Sequence, residues 1–140
     1  MFNPSRQEAR QFLFDTWRKH RERMPLMPLE SMALDVALMH PEYHGVLDQP
    51  EKYLDKDYLP EFGDTNPFLH MSMHLAISEQ LSIDQPSGIR AAYQRLLATA
   101  GEQHRALHVM LDCLAEMIWL AQRSGSSPDG RFYLECLGRH

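Results

Sequence analysis

The sequence is poor in cysteine and has no long apolar run. Cys113 and Cys136 are its only cysteines, and without a C-x-x-C motif they do not suggest a disulfide framework. We therefore expect both to be small apolar residues inside helices. No apolar stretch approaches the ~20 residues of a membrane span, and residues 1–10 lack the apolar core of a signal peptide. These absences predict a cytoplasmic protein without a membrane partner.

Positive charge is also in deficit. Lys and Arg number 14 against 19 Asp and Glu, which gives a formal net charge of −5. A nucleic-acid surface needs clustered Lys and Arg, so we expect no nucleic-acid partner. The length of 140 residues and the hydrophobic content of 44% are typical of one globular domain, which we predict over residues 1–140.

Several metal and cofactor motifs are absent. The chain has no H-E-x-x-H of zinc proteases, no E-x-x-H of ferritin-like di-iron bundles and no C-x-x-C-H for covalent haem. It also has no glycine-rich phosphate loop. Methionines near histidines leave non-covalent haem as a minor alternative, although methionine is more often flexible core filler.

Helix is the dominant pattern, and no segment predicts a strand. Asn66 followed by Pro67 is typical of an N-cap and a first helical position, and Ser5 with Glu8 has the spacing of a capping box. Apolar periodicity and helix breakers predict helices over residues 5–24, 29–39, 67–83, 86–100, 102–123 and 129–137. The expected fold is all-α: a single-domain helical bundle of about four core helices with a short C-terminal helix.

Residues 41–65 form a long acidic and aromatic crossover between the second and third of these helices. We expect one short helix or turn near His44, followed by an ordered irregular segment packed by its aromatic residues. A connection of this length is often a lid over a functional site, and otherwise a packed surface loop. The segment contains Glu42, Asp48, Glu51, Asp55, Asp57, Glu61 and Asp64 against Lys52 and Lys56, interleaved with Tyr43, Tyr53, Tyr58 and Phe62.

Histidines are the most informative residues. Of the eight, six form three pairs spaced four residues apart, whereas random placement would give about 0.4 such pairs. On a helix, both rings of such a pair project from one face. The face of the pair after Asn66 continues into apolar residues, so its rings are expected to point inward. The pairs are His40 with His44, His70 with His74, and His104 with His108.

Inward imidazoles on facing helices are typical of a metal site in a bundle. We predict that His70, His74, His104 and His108 bind one or two transition-metal ions, with His40 or His44 completing the shell. Pro41 disturbs the helix that would align the latter two, so the choice between them stays open. Iron is the first choice and zinc or nickel the second, with Glu79 and Glu116 as candidate carboxylate ligands. The alternative for each pair is a core histidine whose nitrogens bond to backbone or side chains.

Three motifs carry a resemblance to a known family: Phe2-Asn3-Pro4-Ser5-Arg6, His40-Pro41-Glu42-Tyr43-His44 and Asn66-Pro67-Phe68-Leu69-His70-Met71-Ser72-Met73-His74. The chain resembles a proteobacterial family of unknown function, domain-of-unknown-function family 1841, over nearly its whole length. The resemblance implies a bacterial cytoplasmic protein of one domain and implies no activity. The histidine arrangement is also similar to hemerythrin-like and DinB-like metal bundles, but in neither case does the ligand order match.

Two classes of function follow. The first is a metal-binding bundle, which could also be a metal-dependent oxidoreductase or hydrolase of unknown substrate. In that case residues 41–65 would cover the site, with Tyr43, Tyr53 or Tyr58 near the metal. The second is a non-enzymatic helical interaction module, for example a homodimer, with structural histidines and an acidic segment that docks a basic partner. The sequence names no small-molecule substrate.

Overall fold

The computed structural model describes residues 5–58 and 66–140, and within these ranges the chain is all-α. This confirms the predicted fold class. The helices are α1 (Arg6–Arg21), α2 (Pro28–Leu38), α3 (His44–Leu47), α4 (Pro50–Tyr53), α5 (Pro67–Ile83), α6 (Ile89–Ala100), α7 (Gln103–Ser124) and α8 (Gly130–Gly138), and a 3₁₀ turn spans Pro41–Tyr43.

The helix bounds follow the sequence signals closely. Helix α5 has the predicted bounds, because Asn66 Oδ1 accepts the N–H groups of Phe68 and Leu69 at 3.0 and 3.1 Å. Helix α6 begins three residues after the predicted start at Pro86, because Gly88 takes a left-handed φ of 99° and Asp84 accepts the N–H of Arg90 at 3.0 Å. Helix α4 was not predicted, and the predicted packing of residues 59–65 lies outside the described residues.

The described helices group into two compact units, Met1–Leu75 and Ala76–His140. The prediction of one domain over residues 1–140 is not tested by this grouping and stays a prediction. In each unit, buried apolar residues at helical spacing form the core. The first unit buries Leu13, Phe14, Trp17, Ala33, Val36, Ala37, Leu47, Phe68, Met71 and Leu75, and the second buries, among others, Ile77, Ile89, Leu96, Leu107, Met110, Leu114, Tyr133 and Leu137.

A buried arginine fastens the acidic segment to α1 in the first unit. Arg10 is 1% exposed, and its Nη1 donates to the carbonyls of Tyr53, Leu54 and Lys56 at 3.2, 2.9 and 2.8 Å. Its guanidinium also lies 4.6 Å over the ring of Phe68. One side chain therefore satisfies three carbonyls at the end of α4 and just after it, and contacts the start of α5.

Two further basic or polar residues of α1 hold the same segment. Arg6 pairs with Asp57 at 2.8 Å and donates to the Lys56 carbonyl at 2.7 Å, while Gln7 donates to Asp55. These contacts place two of the segment's carboxylates against residues of the same chain.

A carboxylate fixes the start of α2. Glu30 accepts the backbone N–H of Met27 at 2.8 Å and pairs with Lys19 of α1 at 2.7 Å, and its side chain is 8% exposed. The hydrogen bond from Lys19, and to a smaller degree the one from the Met27 backbone, lowers the pKa of the Glu30 carboxyl.

The second unit overturns one prediction from the sequence. Cys113 of α7 and Cys136 of α8 form a disulfide with a Cα–Cα distance of 5.8 Å, so the expectation of two unpaired apolar residues was wrong. Both are buried, as expected, at 1% and 3% exposure. The turn between α7 and α8 brings these residues together across 23 positions of sequence, which no local motif reveals.

None of the helices within residues 5–58 and 66–140 combines the length and the apolar character that a membrane span requires.

We predict that Arg10→Ala lowers the free energy of unfolding by about 2–4 kcal/mol, because three carbonyls lose a charged donor and Phe68 loses a cation–π contact. Chemical denaturation measures this change. The control is Gln11→Ala, at the next, exposed position of α1, which should change the value by less than about 0.5 kcal/mol. Equal effects of the two substitutions would contradict the role assigned to Arg10.

Glu30 makes stability dependent on acid pH. Since folding lowers its pKa below the ordinary value of 4.5, its contribution is present above that value and is lost as pH falls through the folded pKa. Glu30→Gln should therefore destabilise the protein at neutral pH, and the difference from wild type should shrink in acid. Thermal unfolding over a pH series measures it, with the exposed Glu22→Gln as control. A difference that does not depend on pH would refute this account.

Candidate metal site

Helix α5 supplies two imidazoles from successive turns. Its start is fixed by the Asn66 cap, so His70 and His74 project from the same face with ring centroids 4.9 Å apart. His74 is 1% exposed, and the inward direction continues at the fully buried Ile77. The structure thus confirms that this face of the helix points into the protein.

His40 supplies a third imidazole because a proline ends the preceding helix. The residue before a proline is disfavoured in the α conformation, and His40 leaves α2 with φ −125° and ψ 68°. Its Nδ1 lies 2.7 Å from the Val36 carbonyl. A carbonyl only accepts, so Nδ1 carries the proton and donates it. In the neutral ring, Nε2 then bears the lone pair.

The three rings converge within the first unit. The His40 centroid lies 4.9 Å from that of His70 and 4.7 Å from that of His74. The Nε2 atoms of His40 and His70 are 3.1 Å apart, and ligand nitrogens of His40 and His74 lie within 4.8 Å. Two nitrogens on one tetrahedral zinc, at 2.0–2.1 Å each, are themselves about 3.3 Å apart. The first distance therefore fits a shared metal ion as well as it fits a hydrogen bond.

Tyr43 covers one side of this group. Its ring stacks on His40 at 5.4 Å with an interplanar angle of 9°, and lies 6.0 Å from the ring of His70. Burial, and to a smaller degree the charge of Glu42, raises the pKa of the Tyr43 phenol, so the hydroxyl stays neutral at physiological pH. Tyr43, one of the three tyrosines predicted near a metal, therefore contacts these histidines.

His44 takes a different place. Its Nε2 lies 2.7 Å from the Ala37 carbonyl, and its ring packs against that of Trp17 with centroids 4.4 Å apart and an interplanar angle of 33°. Trp17 Nε1 in turn donates to Asp48 at 2.7 Å. Between His40 and His44, which the sequence left as alternatives, the structure brings His40 to the pair on α5.

His104 and His108 lie on α7 in the second unit. Their ring centroids are 4.4 Å apart with an interplanar angle of 79°, as expected for residues one turn apart. His104 is half-buried and His108 is exposed, while Leu107 between them is buried. The pair is thus at the edge of the apolar stripe of α7. Whether it contributes ligands to a metal stays a prediction.

The sequence analysis missed one further group of ligand atoms. Cys113, Cys136 and His140, all in the second unit, place one such atom each within 4.8 Å of the others. No helical spacing could have revealed it, because His140 lies two residues beyond the end of α8 and Cys113 is on another helix. Several histidines and cysteines of this protein could therefore hold a metal ion.

Comparisons with known proteins add a family and no activity. A family model described as "Domain of unknown function (DUF1841)" matches residues 5–139. No curated protein and no solved structure matches the chain.

The two carbonyl contacts predict opposite tautomers for neighbouring histidines. In metal-free protein at alkaline pH, neutral His40 should carry its proton on Nδ1, because that atom donates to Val36, and neutral His44 on Nε2, because that atom donates to Ala37. Long-range ¹H–¹⁵N correlation spectra distinguish the two forms, and each histidine serves as the control for the other. The same tautomer at both positions would contradict the geometry.

Proposed function

Because the chain belongs to the DUF1841 family, whose description states no activity, we propose a function from the site itself: the protein binds a transition-metal ion through His40, His70 and His74. The observation that carries the proposal is the 3.1 Å separation of the Nε2 atoms of His40 and His70 beside the buried ring of His74.

The orientation of His40 supports this proposal. Metal-binding histidines usually donate the other ring N–H to a carbonyl or carboxylate, which fixes the tautomer and aims the lone pair. The contact from His40 Nδ1 to Val36 has this form. The metal ligand on this ring would then be Nε2, the atom that faces His70.

Burial supports it as well. His40 and His74 are each 1% exposed, so their ring nitrogens have little access to water and need a partner inside the protein. A metal ion uses the same nitrogens in their neutral form and links the rings directly. Imidazole suits iron, zinc and nickel, and iron remains our first expectation, with zinc or nickel second.

The chemistry proposed for the site is that of a metal-dependent hydrolase or oxidoreductase. A metal ion held by His40, His70 and His74 would supply the activation of water or dioxygen. The protein's own residues give this site its shape: Val36 fixes His40, the α5 register fixes His70 and His74, and the neutral Tyr43 covers the face of His40. We also keep the cytoplasm as the expected location.

We predict that untagged protein contains about one transition-metal ion per site, and that His74→Ala and His40→Ala each remove it. Elemental analysis by mass spectrometry measures the content before and after chelation, and an absorption spectrum distinguishes iron from colourless zinc. Matched controls are His20→Ala on α1, which is exposed, and His44→Ala, whose Nε2 serves the Ala37 carbonyl. Both should retain the metal.

The pair on α7 is tested in the same series. Loss of metal in His104→Ala or His108→Ala would show that these residues also supply ligands, as the sequence analysis predicts. Metal-free protein that takes up no iron, zinc or nickel on reconstitution would overturn the proposal. Light scattering would then test the rival, a homodimeric interaction module in which His74→Ala reduces only stability.

A further inference from the structure

The α7–α8 pairing assembles a second set of ligand atoms, separate from the three histidines above. Cys113 and Glu116 are three residues apart on α7. Cys136 is on α8, and His140 lies two residues after the end of that helix. The two sulfurs and one His140 nitrogen lie within 4.8 Å of one another, and Glu116 Oε2 lies 3.8 Å from Cys136 Sγ. Three ligand atoms therefore lie close together, and the Glu116 carboxylate lies beside one of the two sulfurs.

We propose that reducing the Cys113–Cys136 disulfide turns this group into a Zn²⁺ site, with Cys113, Cys136 and His140 as ligands and Glu116 as the fourth. The protein would then have two states: an oxidised state in which the disulfide joins Cys113 to Cys136, and a reduced state in which both cysteines bind zinc. Both states link α7 to α8.

The reaction balances with a dithiol as the reductant. The dithiol supplies two electrons and two protons, the S–S bond breaks to give two thiols, and the dithiol becomes a disulfide. Zinc binding then displaces both thiol protons to solvent, because the thiolate is the metal ligand. The cytoplasm expected for this protein keeps thiols reduced by such dithiols.

The distances suit zinc with small movements. Zinc in structural sites binds four ligands tetrahedrally, with Zn–S near 2.3 Å and Zn–N near 2.0–2.1 Å, so neighbouring ligand atoms are about 3.4–3.8 Å apart. The contact between Glu116 and Cys136 is already at 3.8 Å, and His140 lies within 4.8 Å of both sulfurs. The two sulfurs separate when their bond breaks, and the exposed side chains of Glu116 and His140 must move closer to complete the tetrahedron.

Burial explains why a metal would be favoured over two thiols. Cys113 and Cys136 are 1% and 3% exposed, whereas Glu116 and His140 are exposed. A divalent ion can therefore enter from the side of the exposed pair and compensate the charge of two buried thiolates. The charge of the Zn²⁺ complex with two thiolates, a carboxylate and a neutral imidazole is −1, and the carboxylate lies on the solvent side.

Cobalt provides the test, because Co²⁺ replaces zinc and absorbs strongly only when thiolates bind it. The wild-type protein is divided into an oxidised sample and a sample that a phosphine reduces under anaerobic conditions. In that reduction water supplies the oxygen of the phosphine oxide and the two thiol protons. We expect intense sulfur-to-cobalt absorption in the reduced sample alone, and its loss when zinc is added. Nitrogen ligands do not give this band, so the result is independent of His40, His70 and His74.

Variants assign the ligands. Cys136→Ser should abolish the band, and Glu116→Gln and His140→Ala should each weaken cobalt binding at least tenfold while leaving the helical circular dichroism unchanged, because both residues are exposed. Glu135→Gln, an exposed glutamate beside Cys136, is the matched control and should bind as wild type.

The proposal fails if the reduced wild-type protein gives no sulfur-to-cobalt band. It fails equally if His140→Ala binds cobalt as tightly as wild type. Should reduction unfold the second unit, zinc must restore its helical signal; a signal that stays lost would also overturn the proposal.

Discussion

The candidate site depends on one backbone constraint, the exit of His40 from α2 in front of Pro41. Proline prevents the helix from continuing through the preceding residue, so the His40 ring is directed by the Val36 carbonyl and by the neighbouring rings. If α2 continued instead, His40 would follow the helical register, and the approach of its Nε2 to within 3.1 Å of His70 would be lost. The three-ring group therefore depends on a helix that stops at the right residue.

The rest of the first unit holds this arrangement in place. Arg10 binds three carbonyls at and just after the end of α4 and lies over Phe68 at the start of α5, so it links the helix that carries His70 and His74 to α1. Glu30 ties the start of α2 to α1, at the other end of the helix that leads to His40. Buried polar groups of this kind are costly unless satisfied, and here their partners come from the segments that position the imidazoles.

Local signals predicted much of this structure. The Asn66-Pro67 start and the apolar spacing gave the bounds of α5, and four-residue spacing gave the inward pair His70 and His74. The choice of His40 over His44 could not be predicted, because it depends on how the chain turns after Pro41. Arg10 was also beyond local pattern, since its burial requires carbonyls more than 40 positions away.

The disulfide shows the same limit in the second unit. Its two cysteines are 23 residues apart, and their pairing is set by the turn that lays α8 against α7. Sequence spacing reports which side chains share a helix face. It does not report which helix faces pack together. The approach of the third imidazole and the pairing of the two cysteines both depend on that packing.

X-ray absorption fine structure of the purified protein tests the central claim most directly, because it reports the atoms around a bound metal. The account predicts a transition-metal edge with a shell of nitrogen ligands at about 2.0–2.1 Å and the outer-shell scattering of at least three imidazoles in the wild-type protein, and no metal edge in His40→Ala. An edge no stronger than that of the buffer, or a shell without imidazole scattering, would contradict it.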